Sequence, residues 1–315
     1  MTLQQLEYIV ALAEERNFVR AAKKCFVSQP GLTTQVKKLE EELGLKLFDR
    51  GKHPLGITLQ GTAIVAQARE VLRAARSLKE LASDDRSSLA GEFRLGIIPT
   101  LSASLLPGFL RGFASHYPET HLTIYELQTS DIVEKLKTDQ LETGLLGTPL
   151  EENSIRELPV FNEPFYVYAS QGHPLYQKKR VDANDLFHED LLLLADGHCF
   201  RNQVLNLCMR DNKKATTLPY HYESGSLETL MRLVDNGTGY TLLPELMLAG
   251  YQKNPEVAAR VKAFEGTVPS REVSLVAHES FPKERLLQAM REEILASIPK
   301  HLHAPAKVKR IHWKR

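Results

Sequence analysis

Two cysteines stand nine residues apart in the run Asp196-Gly197-His198-Cys199-Phe200-Arg201-Asn202-Gln203-Val204-Leu205-Asn206-Leu207-Cys208. Thiols are the softest nucleophiles a protein carries, and a pair of them can store two electrons as a disulfide. The spacing decides what such a bond would cost. In a helix, nine residues turn the chain through about 900° and advance it roughly 13.5 Å, placing the side chains on opposite faces. A disulfide needs Cα atoms closer than about 7 Å. Joining these sulfurs therefore requires the helix to be dismantled, and a pair that bonds only by refolding its surroundings is a candidate switch. Cys199 follows a glycine at the expected start of the helix, where free amides and the positive dipole end favour an anion. His198 offers a donor and Arg201 a positive charge. Cys208, between Leu207 and Met209, and Cys25, between Lys24 and Phe26, taken singly look like small buried hydrophobes. His198 lacks companions at zinc-site spacing, so no metal and no cofactor is expected.

The elements that must position these residues follow from patterning. A chain of 315 residues suggests two or three domains, and 43% apolar with 25% charged residues is ordinary for a globular protein. Forty Lys and Arg against 39 Asp and Glu give a net charge of +1, so any basic surface must be local. Three cysteines do not make a secreted disulfide framework. The N-terminus has no signal-peptide core, and no apolar run reaches membrane length, so a cytoplasmic protein without membrane contact is expected. There, a disulfide would be transient.

The first 58 residues read as a small helical domain. Leu3, Leu6, Val10 and Ala13 mark one helix, Phe18–Cys25 a second, and Gln29–Leu43 a third, with Ser28 as N-cap and Pro30 in the first turn. Leu32, Val36 and Leu39 face inward, leaving Gln29, Thr33, Thr34, Gln35, Lys37 and Lys38 outward. Short hydrogen-bonding side chains followed by lysines are the set that reads base edges and grips phosphate. Phe26 occupies the turn where simple helix-turn-helix patterns prefer glycine. Leu47 to Thr58, with Arg50, Lys52 and His53 around a Gly/Pro-rich tip, reads as a hairpin or wing. The DNA-contacting candidates are Ser28, Gln29, Pro30, Thr33, Thr34, Lys37, Lys38, Arg50, Lys52 and His53.

Residues 59–90 comprise a linker helix and a polar hinge at Ser83–Ser88. Ile64, Ala68, Val71, Ala75, Leu78 and Ala82 alternate four and three apart, a coiled-coil seam that favours pairing with a second copy. From Gly91 short apolar runs (Phe93–Ile98, Leu122–Glu126, Gly144–Leu146, Phe165–Ala169, Leu191–Leu194, Tyr240–Leu243, Val273–Ala277) alternate with amphipathic helices. That texture predicts open α/β sheets over 91–299, in two lobes: about 91–163 with 268–299, and about 164–267. Ligands in such sheets sit at strand ends and helix N-termini, where Pro99-Thr100, Gln128-Thr129-Ser130 and Gly197-His198-Cys199 fall. Residues 300–315 carry six Lys or Arg and no acid, and are expected to form a basic, mostly disordered tail.

Leu6-Glu7-Tyr8, Ala21-Ala22, Val27-Ser28-Gln29-Pro30, Leu39-Glu40, Gly44, Leu47-Phe48-Asp49-Arg50, Thr58 and Gly61 together resemble the winged helix-turn-helix of LysR-type transcriptional regulators. The resemblance implies a regulator that binds double-stranded DNA and is not an enzyme. It implies a DNA-binding domain, a dimerising linker helix and a two-lobed effector domain like periplasmic binding proteins. It further implies a homotetramer, a dimer of dimers, that works on RNA polymerase. Ile98-Pro99-Thr100, the Gly197-His198-Cys199/Cys208 pair, Ser226-Leu227-Glu228-Thr229-Leu230 and Gly239-Tyr240-Thr241-Leu242-Leu243-Pro244 resemble the peroxide-sensing branch of that family. That branch implies hydrogen peroxide as the signal, Cys199 as the peroxidatic and Cys208 as the resolving cysteine. Thr100, Thr129, His198 and Arg271 are then implied to position peroxide. Two alternatives stand: a regulator binding a small organic effector between the lobes, and a thiol peroxidase fused to a DNA-binding domain.

Overall fold

A computed structural model describes residues 1–81, 89–186, 190–208, 222, 225–251, 254–303 and 308–312. The expected hinge at 83–88, Ala82 and Met209 lie outside them. The chain divides into two compact units: Met1–Asp85 with Ser280–Pro282, and Arg86–Glu279 with Lys283–Arg315.

In the first unit, α1 (Leu3–Glu15) is closed by a capping box at Thr2, and α2 (Phe18–Lys24) is capped by Asn17. Ser28 caps α3 (Gln29–Leu43) by accepting from Gly31 N, and Gly44 ends it in the left-handed region. Between α2 and α3, Phe26 also takes a positive φ of 56° and is 95% exposed. The preference for glycine there is thus conformational: the turn demands a left-handed residue, and this chain meets the demand with a phenylalanine that packs on nothing nearby. The wing pairs β1 (Phe48–Asp49) antiparallel with β2 (Gly56–Ile57). The linker helix α4 (Leu59–Leu81) buries Val65 and Ala68 in the first unit's core, and Arg69 Nη1 lies 2.8 Å from Glu14 Oε1 on α1. Farther along the expected seam, Val71 and Leu78 are exposed.

The second unit begins with β3 (Gly91–Ile97), α5 (Pro99–His116), β4 (Thr120–Glu126), α6 (Thr129–Lys137) and β5 (Thr143–Thr148), strands of one parallel group. Two long strands then cross between the lobes. β6 (Ile155–Ala169) and β10 (Val268–His278) pair antiparallel along most of their length, with a register irregularity at Val273/Ser274. The apolar runs Phe165–Ala169 and Val273–Ala277 are therefore parts of longer strands, hidden in the sequence by Pro159 and Pro164. In the far lobe, β6 pairs with β8 (Tyr240–Pro244) and β9 (Val261–Phe264), and β9 with β7 (Arg180–Val181). α7 (Cys199–Cys208), α8 (Leu227–Asp235), α9 (Glu245–Ala249) and α10 (Pro255–Arg260) belong to this lobe; α11 (Glu284–Ser297) returns to α5.

Two expectations fail. Leu191–Leu194 forms no strand; Leu191 makes one parallel bridge to Tyr240, and Thr241 Oγ1 donates to the Leu192 carbonyl. Nor is all of the basic tail loose: Val308–Arg310 forms β11, parallel to β10, and Ile311 is buried in the core of the far lobe. A single apolar residue and a free sheet edge suffice to dock a segment whose composition is that of a solvated tail. Among the described residues no helix is long and apolar enough to cross a membrane.

Candidate redox site and nucleic-acid interface

Three helices of the second unit start at one narrow cleft. Its lining is Ile98, Pro99 and Thr100 from the head of α5, Gln128 and Thr129 from α6, and Gly197, His198, Cys199 and Phe200 from α7. Helix N-termini present unsatisfied amides and positive dipole ends, so their convergence favours a polar or anionic occupant. Gly197 makes the approach possible: at φ +91° a Cβ there would meet Gln128 Oε1 at 2.1 Å.

Both cysteines are free and buried. Their surroundings differ. The Cys208 sulfur sits in the apolar cluster with Phe200, Val204, Leu227 and Ile311, and this burial pushes its pKa up to about 12. It is a thiol, not a thiolate, at physiological pH. Cys199 lies outside that cluster and borders the narrow cleft, and a Cβ built on Gly147 would come within 3.6 Å of its Sγ.

Thr129 sits in the first turn of α6 rather than at its cap, and its Oγ1 is buried without a hydrogen-bond partner. A buried hydroxyl without partners costs about 1–3 kcal/mol, so one retained at the mouth of three helices is a candidate contact for a polar occupant. Thr100 Oγ1 accepts from Arg271 Nη1 at 2.7 Å, and the Thr100 carbonyl accepts from Arg271 Nη2 at 3.1 Å. Because the arginine uses an oxygen lone pair, the Thr100 hydroxyl proton stays available for donation into the cleft. Arg271 itself does not line the cleft; it stands behind Thr100, fully buried, with its guanidinium 5.4 Å from the Phe200 ring centroid.

Glu163, which the sequence reading missed, holds that arginine. Its Oε2 accepts from Arg271 Nε at 2.8 Å and its Oε1 accepts from Leu246 N at 2.9 Å. The two residues are cross-strand neighbours on β6 and β10. Only the long pairing of those strands reveals the partnership, which 108 residues of sequence separation conceal. His198 is desolvated, which lowers its pKa, and the charge of exposed Glu126 acts in the opposite direction. Arg201 is engaged elsewhere. Its Nε lies 2.7 Å from Asp196 Oδ1 and its Nη1 donates to the Leu194 carbonyl. Among the described residues no cluster of three His, Cys, Asp or Glu is placed to hold a metal.

On the first unit, Gln29, Pro30, Thr34, Lys37 and Lys38 are exposed along α3, and Ser28 is exposed at its cap. Thr33 is half-buried and its hydroxyl donates back to the Gln29 carbonyl at 2.9 Å. Gln35 faces α1 instead, its Oε1 accepting from Gln5 Nε2 at 3.2 Å. On the wing, Lys52 and His53 are exposed. Arg50 has a structural share: it donates to Glu40 Oε2 at 3.2 Å and lies 5.5 Å from the Phe18 ring centroid. Buried Glu40 uses its other oxygen to accept from Leu47 N at 2.8 Å, tying α3 to the wing.

Residues 3–62 match the family model of bacterial regulatory helix-turn-helix proteins of the lysR family, and residues 86–298 match the LysR substrate binding domain. The chain belongs to the LysR family. Similar LysR-family proteins include a hydrogen peroxide-inducible genes activator of Haemophilus influenzae, 36% identical over 93% of this chain and 97% of that one. The DNA-binding transcriptional dual regulator OxyR of Escherichia coli is 35% identical over 96% of this chain and 97% of its own length. Among solved structures, full-length OxyR from Pseudomonas aeruginosa carrying aspartate in place of a cysteine superposes with a TM-score of 0.80 at 37% identity, covering 94% of this chain and 95% of that one. The helix-turn-helix followed by an α/β unit is thus the LysR architecture, and α3, with its exposed polar face, lies within the matched helix-turn-helix region.

Proposed function

We propose that this LysR-family regulator senses hydrogen peroxide through Cys199 and transmits the signal by forming a Cys199–Cys208 disulfide. The observation that carries the reading is the buried, unpartnered Thr129 hydroxyl at the cleft that Cys199 borders. Peroxide is small, neutral and rich in both donors and acceptors, and this cleft, closed to a water-sized molecule here and so needing to open to admit it, would offer hydroxyls at Thr100 and Thr129 and the imidazole of His198. The kinship with hydrogen peroxide-inducible gene activators supports the same signal.

The Cys199 thiolate attacks one peroxide oxygen. The O–O bond breaks, the sulfur becomes a sulfenic acid, and the second oxygen leaves as hydroxide, taking a proton to become water. Thr100 and Thr129 donate to that leaving oxygen as its charge develops. Arg271, fixed by Glu163, orients Thr100. Cys208 then attacks the sulfenic sulfur; the S–S bond forms and the displaced hydroxyl departs as water with the thiol proton. Two electrons pass from two thiols to one peroxide. Because burial raises Cys208 to about 12, it becomes a competent nucleophile only once it leaves its apolar pocket. Opening of α7 therefore precedes bond formation, and cellular dithiols reverse the bond by exchange.

In this reading α3 and the wing contact DNA through the residues named above, and the exposed Val71 and Leu78 on α4 pair with a second copy. Four such chains form the dimer of dimers whose rearrangement moves the reading helices relative to RNA polymerase. A domain division at 1–58, 59–90, 91–299 and 300–315 assigns reading, pairing, sensing and tail. The test is mass spectrometry of the full chain after stoichiometric peroxide, paired with an operator footprint. Absence of the Cys199–Cys208 bond with an unchanged footprint would sink the proposal.

A second reading has one observation behind it. A cavity of about 660 Å³ is lined by Thr100, Ser102, Glu126, Ser226, Glu228 and Tyr251, in the size range of small-molecule sites. An organic effector bound there would shift the footprint of a Cys199→Ser chain as fully as that of the parent.

A further inference from the structure

The last residues close one side of the Cys199–Cys208 helix. β11 adds to β10 with Val308 opposite Val268 and Arg310 opposite Ser270, and Ile311 N donates to the Ser270 carbonyl at 2.8 Å. Ile311 enters the same apolar cluster as Val204 and Cys208. Two side chains of α7 then grip the segment's main chain. Gln203 Nε2 donates to the Ile311 carbonyl at 3.1 Å, and Asn206 Nδ2 donates to the His312 carbonyl at 2.7 Å. On the other side Arg310 Nη1 lies 2.7 Å from Glu272 Oε2, and Arg310 Nε donates to Asn162 Oδ1 at 3.2 Å.

These contacts depend on α7 being helical. Gln203 and Asn206 are three residues apart, so a helix puts them on one face, where they reach consecutive carbonyls of an extended strand. Both stand between the two cysteines, in the stretch that must unwind before the sulfurs can meet. Unwinding separates the two amides and withdraws Cys208 from the apolar cluster to which Ile311 also belongs. The segment therefore fits the dithiol form of the protein and not the disulfide form. A group that binds only one of two states shifts the equilibrium toward that state.

We propose that residues 308–312 form an intramolecular strap that holds the redox helix in its reduced conformation and so sets how oxidising the surroundings must be before the switch turns. The proposal rests on the redox reading above. Linkage makes it reciprocal: oxidation loosens the strap as much as the strap opposes oxidation.

The experiment uses the full chain, a chain ending at Lys307, and Asn206→Ala. Each is equilibrated in glutathione buffers, where the protein dithiol and glutathione disulfide exchange to give the protein disulfide and two glutathione thiols. The Cys199–Cys208 bond is counted by mass spectrometry. Shortening the chain should favour the disulfide about tenfold, a midpoint about 30 mV more negative for a two-electron couple. Asn206→Ala, which keeps the strap and the Ile311 packing, should shift it about threefold in the same direction. Trypsin should cut after Lys309 and Arg310 faster in the oxidised parent than in the reduced parent. If the parent forms the disulfide while Asn206→Ala stays within error of it and the cutting rates match, the strap is wrong and the redox reading stands. If the parent forms no disulfide in any buffer, both fall.

Discussion

Cys199 and Cys208 are the first and last residues of a single ten-residue helix, α7, one bordering the narrow cleft of three helix N-termini and the other sunk in an apolar cluster. Helix geometry keeps their Cα atoms about 13 Å apart along the axis, roughly twice the reach of a disulfide. The helix thus holds the thiols apart, and the proposed disulfide would require it to unwind.

Replacing Cys208 with serine separates the two chemical steps. Cys199 should still be oxidised, and sulfenic acid should accumulate because nothing resolves it. Dimedone labelling checks this, and the DNA footprint should remain that of the reduced protein. A footprint that shifts as in the parent would mean sulfenic acid alone carries the signal.

Thr129→Val should divide stability from reactivity. Removing an unpartnered buried hydroxyl leaves stability unchanged or raises it by about 1 kcal/mol, since the desolvation cost disappears. The rate of Cys199 oxidation should nonetheless fall tenfold or more, as expected when a transition-state donor is lost. Urea unfolding and stopped-flow peroxide kinetics give the two numbers. Equal losses in both would make Thr129 merely structural.

The Glu163–Arg271 pair predicts an asymmetric cost. Glu163→Gln leaves a buried guanidinium without its counter-ion and should destabilise the second unit by about 3–5 kcal/mol. It should also slow Cys199 oxidation, through a Thr100 that is no longer held. Leu246 N, which donates to Glu163, is the built-in reporter: its amide exchange should speed up in the variant.

Cys208 gives a pH dependence with a defined sign. Its pKa is raised in the fold, so the unfolded chain releases the thiol proton first and stability falls as pH climbs above the ordinary cysteine value of 9.0 toward about 12. The loss attributable to this group should approach 1.4 kcal/mol per pH unit in that window. Comparing parent with Cys208→Ala in denaturant between pH 8 and 11 isolates it. Identical slopes would contradict the buried thiol.

On the DNA side, Lys38→Ala should weaken all sites alike and reduce the slope of log affinity against log salt by about 0.9. Gln29→Ala should instead relax base preference, by about 1–3 kcal/mol at one position. Arg50→Ala should do more than either, because it also leaves buried Glu40 without the Arg50 partner. A lower melting temperature for Arg50→Ala alone would distinguish its structural share.

Much of this was legible in the sequence because it is local. Ser28 as cap, Pro30 in the first turn, the inward Leu32, Val36 and Leu39, and the wing around Arg50 each depend on residues a few positions apart, and helix periodicity exposes them. The family resemblance rests on the same short stretches. Gln35 was misread for the converse reason: its spacing pointed outward, while Gln5 claims it in the fold.

The sequence by itself determined the main helices, the Ser28 cap, the resemblance to the LysR family and the fact that nine residues of helix hold two thiols apart. The tertiary structure alone decided where each thiol lies, that Arg271 donates to Thr100 and is fixed by Glu163, and that Val308–Arg310 of the basic tail form a strand whose following residues meet α7. The physical reason is range. Helix periodicity and capping are properties of neighbours, whereas a hydrogen bond between Gln203 and Ile311, or an ion pair between Glu163 and Arg271, joins residues 108 apart that only strand pairing brings together.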